Sequence, residues 1–327
     1  MDSLFEELKK ALPGIKENVE LKDYSTFRIG GPAKYFFKAE NEIELKIAAQ
    51  KALDLKINFK ILGGGSNTLI SSQGFGGLAI IFKNKPRVED FLPVQINNEY
   101  FVEAPADWPL FFLVEQAAIS GLSGMEWAIG IPGTIGGAVN GNAGAFGVSI
   151  GDSIDGVQVL EIKNNFISER FFTSEDCGFG YRSSVFKNNP DLIILSARIK
   201  LMRGDAEKIK EQIENNISKR KDKQPKGFSI GSIFKNFKGE VPADALNSHA
   251  ELKEFLIKGA IPAGYLIEQC GLKGQSIGGA RVSEEHANFI INTGDATSED
   301  VLSLIALVKN QVEAKFQIVL QEEIKIF

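Results

Sequence analysis

The chain has 327 residues, of which 43% are hydrophobic and 24% are charged, and its net charge is −5. This length allows two or three domains with separate cores, and the composition is that of a soluble globular protein. The acidic net charge and the lack of a basic stripe give no reason to expect a nucleic-acid partner. No apolar run is long enough for a transmembrane helix, and the first residues do not resemble a signal peptide. We therefore expect a cytoplasmic protein without a membrane partner.

Cysteine and histidine are scarce in this chain, which limits the chemistry available to it. The cysteines, Cys177 and Cys270, are too few for a disulfide framework, and we expect both to be reduced thiols. Together with His249 and His286 they are too scattered for a structural zinc site, so no metal is expected. Neither histidine lies in a motif that supports a Ser-His-Asp hydrolase.

The spacing of apolar residues predicts a chain that mixes helices and strands. In chain order, the predicted elements are a helix over 4–12, a strand over 35–37, a helix over 42–53, strands over 58–62, 78–82 and 100–103, a helix from Pro109 to Gly121, strands over 157–162 and 192–199, a helix capped by Asp205, a helix over 262–270, strands over 278–282 and 287–292, a helix capped by Thr297 and Asp300, and a closing strand over 318–327. The sequence shows no internal repeat and no low-complexity segment.

A glycine loop, Gly63-Gly64-Gly65-Ser66-Asn67, follows the buried strand predicted at 58–62. Glycines at a strand end let the backbone approach a pyrophosphate, and Ser66 and Asn67 add hydrogen-bond donors. The loop is not the Rossmann fingerprint, because no G-x-G-x-x-G sequence opens a helix here. Taken alone, the loop is equally well interpreted as a tight turn without a ligand.

The densest glycine run lies in the middle of the chain. Ten of the 33 glycines fall between Gly121 and Gly151, and the run from Gly130 to Gly144 carries almost no charge. Each glycine inside a regular element costs roughly 0.5–1 kcal/mol relative to alanine, so we expect neither an ordinary helix nor an ordinary strand. The pattern favours a ligand held by main-chain N–H groups. A glycine-rich surface loop is the alternative.

A charged tract, Lys219-Arg220-Lys221-Asp222-Lys223, ends the helix that Asp205 caps. Such a tract is more typical of a solvated helix end than of a phosphate site, although both interpretations stay open. The residues that follow, 224–227, are the one candidate linker.

Six motifs resemble, in order, those of the UDP-N-acetylenolpyruvoylglucosamine reductase family, and they run nearly from end to end of the chain. They are Ser25-Thr26-Phe27-Arg28-Ile29-Gly30-Gly31, Gly63-Gly64-Gly65-Ser66-Asn67, Gly130-Ile131-Pro132-Gly133-Thr134-Ile135-Gly136-Gly137, Gly180-Tyr181-Arg182, Gly231-Ser232-Ile233-Phe234-Lys235-Asn236 and the closing acidic segment. The resemblance implies an α+β protein with an FAD-binding fold of the vanillyl-alcohol-oxidase type, made of two α+β subdomains, and a C-terminal α+β substrate-binding domain. The implied boundaries are 1–82, 83–224 and 225–327, and the last strand can return to the FAD site.

The resemblance implies FAD as the cofactor and NADPH as co-substrate. Other members of the superfamily attach FAD through a histidine, and since no histidine precedes His249, noncovalent binding is implied here. The positions that match FAD-binding motifs are Gly63, Gly64, Gly65, Ser66, Asn67, Gly130, Ile131, Pro132, Gly133, Gly136, Gly137, Asn140 and Ala143. The stretch between Arg182 and Ser232 contains no tyrosine, which resembles the shorter form of the family without a Tyr-carrying loop. By motif position, Lys223 and Asn236 are the substrate-binding candidates.

The implied reaction reduces an enolpyruvyl ether to a lactyl ether during peptidoglycan precursor synthesis. Hydride passes from flavin N5 to the terminal alkene carbon, and negative charge spreads into an enediolate. Arg182 suits that charge because guanidinium matches a carboxylate fork, while a protonated Glu323 can donate a hydrogen bond and Ser232 can supply the proton. Without the resemblance these would be an ion-pair residue, an exposed carboxylate and a turn cap. Glu322 is disfavoured, since only one of two adjacent strand residues faces a site.

Two rival interpretations remain open from the sequence. A flavin oxidase or dehydrogenase of the same superfamily would act on another substrate, and an oxidase would reduce oxygen quickly. A noncatalytic nucleotide-sugar or dinucleotide binding protein would be colourless or would hold FAD that NADPH cannot reduce. For the reductase that the resemblance implies, we expect a monomer whose partners are the small molecules UDP-N-acetylglucosamine enolpyruvate and NADPH, with no nucleic acid and no membrane. Four further polar residues could all lie near the site, and the sequence gives no basis for ranking them. They are Glu268, Arg281, His286 and Asn288.

Overall fold

A computed structural model describes residues 3–221 and 224–327 of the chain. Its α-helices are α1 (Ser3–Ala11), α2 (Glu42–Asp54), α3 (Leu110–Ile119), α4 (Ile135–Gly141), α5 (Val185–Asn188), α6 (Ala206–Lys221), α7 (Ala243–Ser248), α8 (Leu252–Ile257), α9 (Ala263–Gln269) and α10 (Ser298–Phe316). Its strands are β1 (Lys16–Glu20), β2 (Pro32–Ala39), β3 (Phe59–Leu62), β4 (Thr68–Leu69), β5 (Phe75–Phe82), β6 (Val94–Ile96), β7 (Glu99–Pro105), β8 (Leu122–Ser123), β9 (Gly144–Ala145), β10 (Val148–Ser149), β11 (Ile154–Lys163), β12 (Phe166–Thr173), β13 (Leu192–Arg203), β14 (Ser276–Ile277), β15 (Ala280–Val282), β16 (Ile290–Asn292) and β17 (Lys325–Ile326). Each predicted element has a counterpart, and the largest differences concern the glycine run and the last ten residues.

The described residues form two compact units. The first contains residues 3–19, 33–64 and 76–221, and the second contains residues 20–32, 65–75 and 224–327. Each unit has its own buried apolar cluster, with Leu113 and Leu160 fully buried in the first and Leu266 and Leu304 in the second. The implied boundaries at 82/83 and 224/225 stay a prediction.

The first unit contains two main sheets. One has the strand order β1-β2-β5-β3, and in it β3 runs parallel to β5 with Phe59 opposite Leu78. The other has the order β12-β11-β13-β7-β6, and β8 pairs with β13. Strand β3, which was expected to be buried, is half-buried except at Leu62. The loop over 63–67 therefore begins at the carboxyl end of a parallel strand.

The glycine run contains a helix, so the expectation of no ordinary helix there is wrong. Helix α4 begins after Thr134, whose Oγ1 accepts a hydrogen bond from the N–H of Gly137 at 3.3 Å. A Cβ atom on Gly136 would lie 2.9 Å from Cβ of Ala106, so glycine allows the helix to pack closely on its neighbour. Burial of the apolar residues of α4 offsets the low helix propensity of glycine.

The second unit contains the sheet β14-β15-β16 and the long helix α10. The predicted capping box is confirmed: Oγ1 of Thr297 accepts from the N–H of Asp300, and the Asp300 carboxylate accepts from the N–H of Thr297. Three- and four-residue spacing puts one face of α10 in the core. The buried apolar positions are Val301, Leu304, Ile305, Val308, Val312 and Phe316.

The expectation of one closing strand over 318–327 is largely wrong. Only β17 is a regular strand, and it pairs in parallel with β4 through Lys325 opposite Thr68. The residues before it form a single antiparallel bridge between Glu322 and Phe234. A strand needs a partner along its whole length, and here the partner segment is only a few residues long.

Both cysteines of the described chain are free thiols, as expected. Burial raises the pKa of the Cys177 thiol to about 12, so this group stays protonated and inert at neutral pH. Among residues 3–221 and 224–327, no helix combines the length and the apolar character needed to cross a bilayer.

Candidate active site

Two of the predicted cofactor loops touch each other within the first unit. A Cβ atom on Gly64 would lie 2.6 Å from Cα of Gly133, and one on Gly63 would lie 2.6 Å from Oγ1 of Thr134. Neither distance leaves room for a side chain, so glycine is required for this approach. The structure therefore brings the Gly63–Gly64 pair next to the end of the turn over 130–133.

The rest of the first loop, Gly65 to Asn67, belongs to the second unit. Thr26 donates its N–H to the carbonyl oxygen of Gly65 at 3.2 Å, which gives the motif over 25–31 a supporting role. Asn67 donates from Nδ2 to the carbonyl oxygen of Glu323 at 3.4 Å, and Ser66 beside it is half-buried. The predicted cofactor loop is thus tied to the segment that carries Glu323.

The first N–H groups of α4 already have partners within the protein. The N–H of Gly136 donates to the carbonyl oxygen of Ala106 at 2.9 Å, and that of Gly137 donates to Oγ1 of Thr134 at 3.3 Å. These two donors are therefore not directed at a ligand, and any contact of Gly136 or Gly137 with a cofactor would use other atoms.

Three further predicted cofactor residues of the run, Ile131, Asn140 and Ala143, are also held by internal hydrogen bonds. The bonds run from Ile131 N–H to Ala128 O at 3.1 Å, from Asn140 Nδ2 to Phe186 O at 3.2 Å, and from Ala143 N–H to Ala138 O at 2.8 Å. Several hydrogen-bond donors of the run therefore already have partners within the protein. What the run offers a ligand is mainly a surface of small residues.

Arg182 lies in a tight turn of the first unit beside the glycine run. Gly180 and Ser183 exchange main-chain hydrogen bonds at 3.0 and 3.1 Å, and Arg182 between them has a φ of 54°, in the left-handed region. Its Nη2 donates to the carbonyl oxygen of Gly144 at 2.7 Å, and its guanidinium lies 5.4 Å from the ring centroid of Tyr181. Backbone strain of this kind is characteristic of functional sites, where it fixes a side chain in one orientation.

Ser232 and Glu323 are held by one short segment of the second unit. The N–H of Glu323 donates to the carbonyl oxygen of Ile233, the residue after Ser232, at 2.8 Å. On its other side the segment forms a bridge between Ser232 and Phe289. The structure brings these two predicted catalytic residues onto adjacent chain segments, whereas Arg182 belongs to the first unit.

Glu322, the neighbour of Glu323, has a different environment. Its Oε1 lies 2.8 Å from Nζ of Lys309 on α10, and its side chain is 39% exposed. Glu323 is half-buried. The different environments of the two side chains support the preference for Glu323. The difference arises from a single bridge and an ion pair, and not from the alternation of a regular strand.

A cavity of about 410 Å³ opens beside Ser232 in the second unit. The polar residues that line it are Ser232, Asn236, Tyr265, Glu268, Glu285, His286 and Asn288. No described protein group hydrogen-bonds the hydroxyl of Ser232, so this hydroxyl is available to a ligand. The Oδ1 atom of Asn236 accepts from the N–H of Ala263 at 3.2 Å, at the start of α9.

Arg281, which the sequence left unranked, lies outside this cavity. It is an exposed residue of β15. Lys223, the other substrate-binding candidate, lies outside the described residues.

The structure assigns a half-buried position to Arg220, which the sequence grouped with a solvated helix end. Its Nη2 donates to the carbonyl oxygen of Trp127 at 3.1 Å, and its guanidinium lies 5.2 Å from the ring centroid of Phe146. Its Nε is buried without a partner among the described residues, and burial lowers the pKa of the group. The Cδ atom lies 3.0 Å from where a Cβ of Gly130 would be. The solvated interpretation is therefore wrong for Arg220, and no local sequence signal distinguished it from its neighbours.

The match to domain families defines the class of protein. Residues 33–164 match the FAD-binding domain family, and residues 223–327 match the family described as UDP-N-acetylenolpyruvoylglucosamine reductase, C-terminal domain. The chain is therefore an FAD-binding oxidoreductase with a dedicated C-terminal domain, as the motifs predicted.

Full-length relatives give the particular family. The chain is 36% identical over 313 residues to the UDP-N-acetylenolpyruvoylglucosamine reductase of Prochlorococcus marinus (95% of this chain, 97% of the relative). It is 37% identical over 327 residues to that of Caldanaerobacter subterraneus (100% of this chain, 97% of the relative). The crystal structure of the reductase from Thermus caldophilus superposes with a TM-score of 0.71 at 32% identity, covering 96% of this chain and 99% of that one. The chain belongs to the UDP-N-acetylenolpyruvoylglucosamine reductase family.

Proposed function

We propose that this protein reduces UDP-N-acetylenolpyruvoylglucosamine to UDP-N-acetylmuramate, with FAD as bound cofactor and NADPH as electron donor. The proposal extends the name of the full-length relatives to this chain. The observation that carries it is that Ser232 and Glu323 lie on adjacent chain segments. Ser232 lines the cavity and its hydroxyl has no hydrogen-bond partner among the described residues, and the neighbouring segment holds the half-buried Glu323.

The first unit offers features that suit FAD. Main-chain surfaces meet at Gly64 and Gly133 without side chains between them, which suits the close approach of a flat or phosphorylated ligand. Arg220 is a half-buried cation beside Gly130, and in the described part of the chain no carboxylate pairs with it. An anionic group such as the FAD pyrophosphate would compensate its buried charge. When bound, FAD supplies the transfer of two electrons from NADPH to the alkene as hydride.

Ser232 is the proposed general acid. After hydride reaches the terminal alkene carbon, the neighbouring carbon becomes strongly basic and needs one proton to complete the lactyl ether. A serine hydroxyl is a weak acid, but it matches a carbanion because proton transfer to so strong a base is downhill. Ser232 lines the cavity, and no group among the described residues accepts a hydrogen bond from its hydroxyl, so its proton stays available.

Arg182 and Glu323 are proposed to stabilise the negative charge of the enediolate. A guanidinium group held by Gly144 is fixed before the substrate carboxylate binds, so it can stabilise the developing charge without reorganisation. The Glu323 carboxyl group, when protonated, can donate one hydrogen bond to the same charge. Asn236 and Lys223 are proposed to bind the nucleotide part of the substrate.

Two-step anaerobic absorbance measurements test the proposal. We expect the purified protein to be yellow, to bleach on addition of NADPH, and to regain its colour on addition of UDP-N-acetylenolpyruvoylglucosamine. The Ser232→Ala variant should bleach at the wild-type rate and recolour far more slowly. Recolouring only by oxygen would indicate an oxidase, and a colourless protein that does not take up FAD would indicate a binding protein without this chemistry.

Both proposed substrates are charged nucleotides, which do not cross a bilayer unaided. We therefore also propose that the protein works in the cytoplasm. That it is a monomer stays a prediction.

A further inference from the structure

No described side chain hydrogen-bonds the Ser232 hydroxyl, so the protein positions this group chiefly through the path of the main chain. Gly231 before it has a φ of 81°, in the region that favours glycine. The segment Ser232 to Phe234 is not part of a regular sheet, and its strand-like pairing consists of isolated bridges to Phe289 and Glu322. Any group that holds this segment therefore also holds the proposed acid.

The side chain of Asn288 completes the pairing of this segment where main-chain pairing stops. Up to Ile233 the pairing is ordinary, since the N–H of Ile233 donates to the carbonyl oxygen of Asn288 at 2.8 Å. One residue further, Oδ1 of Asn288 accepts from the N–H of Phe234 at 3.0 Å, and Nδ2 donates to the carbonyl oxygen of Phe234 at 2.8 Å. The side-chain amide of Asn288 thus makes the two hydrogen bonds that the main-chain N–H and C=O groups of a paired strand residue would make.

Asparagine is well suited to this place, and residues of similar size are not. Asn288 is 4% exposed and Phe234 is 2% exposed, so both hydrogen bonds are largely shielded from bulk water. An ionised aspartate would still accept from the N–H of Phe234 but would have no hydrogen for its carbonyl oxygen, and leucine would offer neither group. The N–H of Asn288 in turn donates to Nδ1 of His286 at 3.1 Å, which fixes the residue from behind.

We propose that Asn288 is a positioning residue for proton transfer from Ser232, an inference that rests on the proposed reduction of the enolpyruvyl group. Asn288 fixes the segment that carries Ser232 and that also receives the N–H of Glu323. It acts through Ser232 and not by contact with the reacting carbon. A displacement of a reacting group by about 1 Å can cost about 100-fold in rate. Loss of the two hydrogen bonds between the Asn288 amide and Phe234 therefore slows proton transfer far more than it weakens substrate binding.

The test compares Asn288→Asp and Asn288→Leu with the FAD-loaded wild type in the two half-reactions. NADPH should reduce the flavin of both variants at close to the wild-type rate. Reoxidation by saturating UDP-N-acetylenolpyruvoylglucosamine should be about 10- to 100-fold slower, with the half-saturating concentration little changed. In Asn288→Asp the rate should recover as the pH falls, because a protonated carboxyl group can again donate to Phe234. Asn288→Leu should show no such recovery.

A double variant separates positioning from a general loss of stability. In a Ser232→Ala background, Asn288→Asp should cause little further loss, because no hydroxyl remains to be positioned. The matched control is Val312→Ala, which removes fully buried methyl groups from α10. This control should lower the melting temperature without slowing reoxidation.

Three outcomes would overturn one claim or the other. Asn288 variants that reoxidise at the wild-type rate, or whose loss adds in full to that of Ser232→Ala, overturn the positioning role and leave the proposed function standing. A wild-type protein that NADPH reduces but the enolpyruvyl sugar does not reoxidise overturns the proposed function itself. If Asn288→Leu does not fold, the pH dependence of Asn288→Asp decides.

Discussion

Arg182 donates a hydrogen bond from Nη2 to the carbonyl oxygen of Gly144 at 2.7 Å. The contact joins two motifs that are far apart in the sequence, the turn over 180–183 and the glycine run. It also leaves no space at Gly144, since a Cβ atom there would lie 3.0 Å from Nη1 of Arg182 and 2.7 Å from the carbonyl oxygen of Val148. The glycine therefore fixes the guanidinium group as well as the local backbone.

We predict that Gly144→Ala displaces the Arg182 guanidinium and slows flavin reoxidation by about 10- to 100-fold, the size expected for a misplaced charge-stabilising group. Stopped-flow absorbance of the reoxidation step measures this. The matched control is Gly141→Ala, where a Cβ atom would meet nothing within 4 Å. Equal rates for the two variants would contradict a role for the Arg182–Gly144 contact.

The two adjacent glutamates should respond differently to the same substitution. Glu323→Gln should lose most of the reoxidation rate, because its carboxyl group is the proposed donor to the enediolate. Glu322→Gln breaks only the exposed pair with Lys309, a contact worth about 0–1 kcal/mol, and should retain near wild-type activity. Steady-state turnover of the two variants decides, and the opposite order would move the proposed role to Glu322.

Arg220→Met should weaken FAD binding. A charge-assisted hydrogen bond is worth about 1.5–3 kcal/mol, so the dissociation constant of FAD from the apoprotein should rise about 10- to 100-fold. Fluorescence titration of the apoprotein with FAD measures this without any catalysis. Lys221→Met removes the same charge from an exposed neighbour and is the control. If both variants bind FAD as tightly as the wild type, Arg220 has no role at the cofactor.

Asp107→Asn should stabilise the first unit at neutral pH. Burial raises the pKa of the Asp107 carboxyl group, and a hydrogen bond from Asn84 opposes this only in part. Oδ1 of Asp107 is buried without a described partner. Because the folded pKa lies above the unfolded one, the wild type loses stability as the pH rises through the interval between them.

The advantage of Asp107→Asn should therefore be present at pH 7 and shrink as the pH falls below the folded pKa, where the wild-type carboxyl group is neutral. Thermal unfolding of both proteins between pH 4 and pH 8 checks this. A variant that is less stable than the wild type at pH 7 would show that the ionised group has a partner that burial alone does not reveal.

The sequence determined the local elements whose signals lie within a few residues. The capping box of Thr297 and Asp300 and the apolar face of α10 follow from hydrogen bonds and spacing inside one helix. The same is true of Asp205, whose Oδ1 accepts from the N–H groups of Glu207 and Lys208 at the start of α6. The motif order also gave the family, because each motif is contiguous.

Tertiary structure decided the features that depend on a distant partner. Glycine propensity argued against α4, but packing against Ala106 made the helix stable. Alternation argued for a long closing strand, but the partner segment at Phe234 is too short to pair with it. The sequence did not distinguish Arg220 from its charged neighbours, but in the folded chain its guanidinium group contacts Trp127 and Phe146. The sequence could not rank Asn288, because Phe234, whose main chain its amide binds, lies more than fifty residues away. Only the folded chain brings this side chain to the N–H and C=O groups of Phe234, which lack a strand partner.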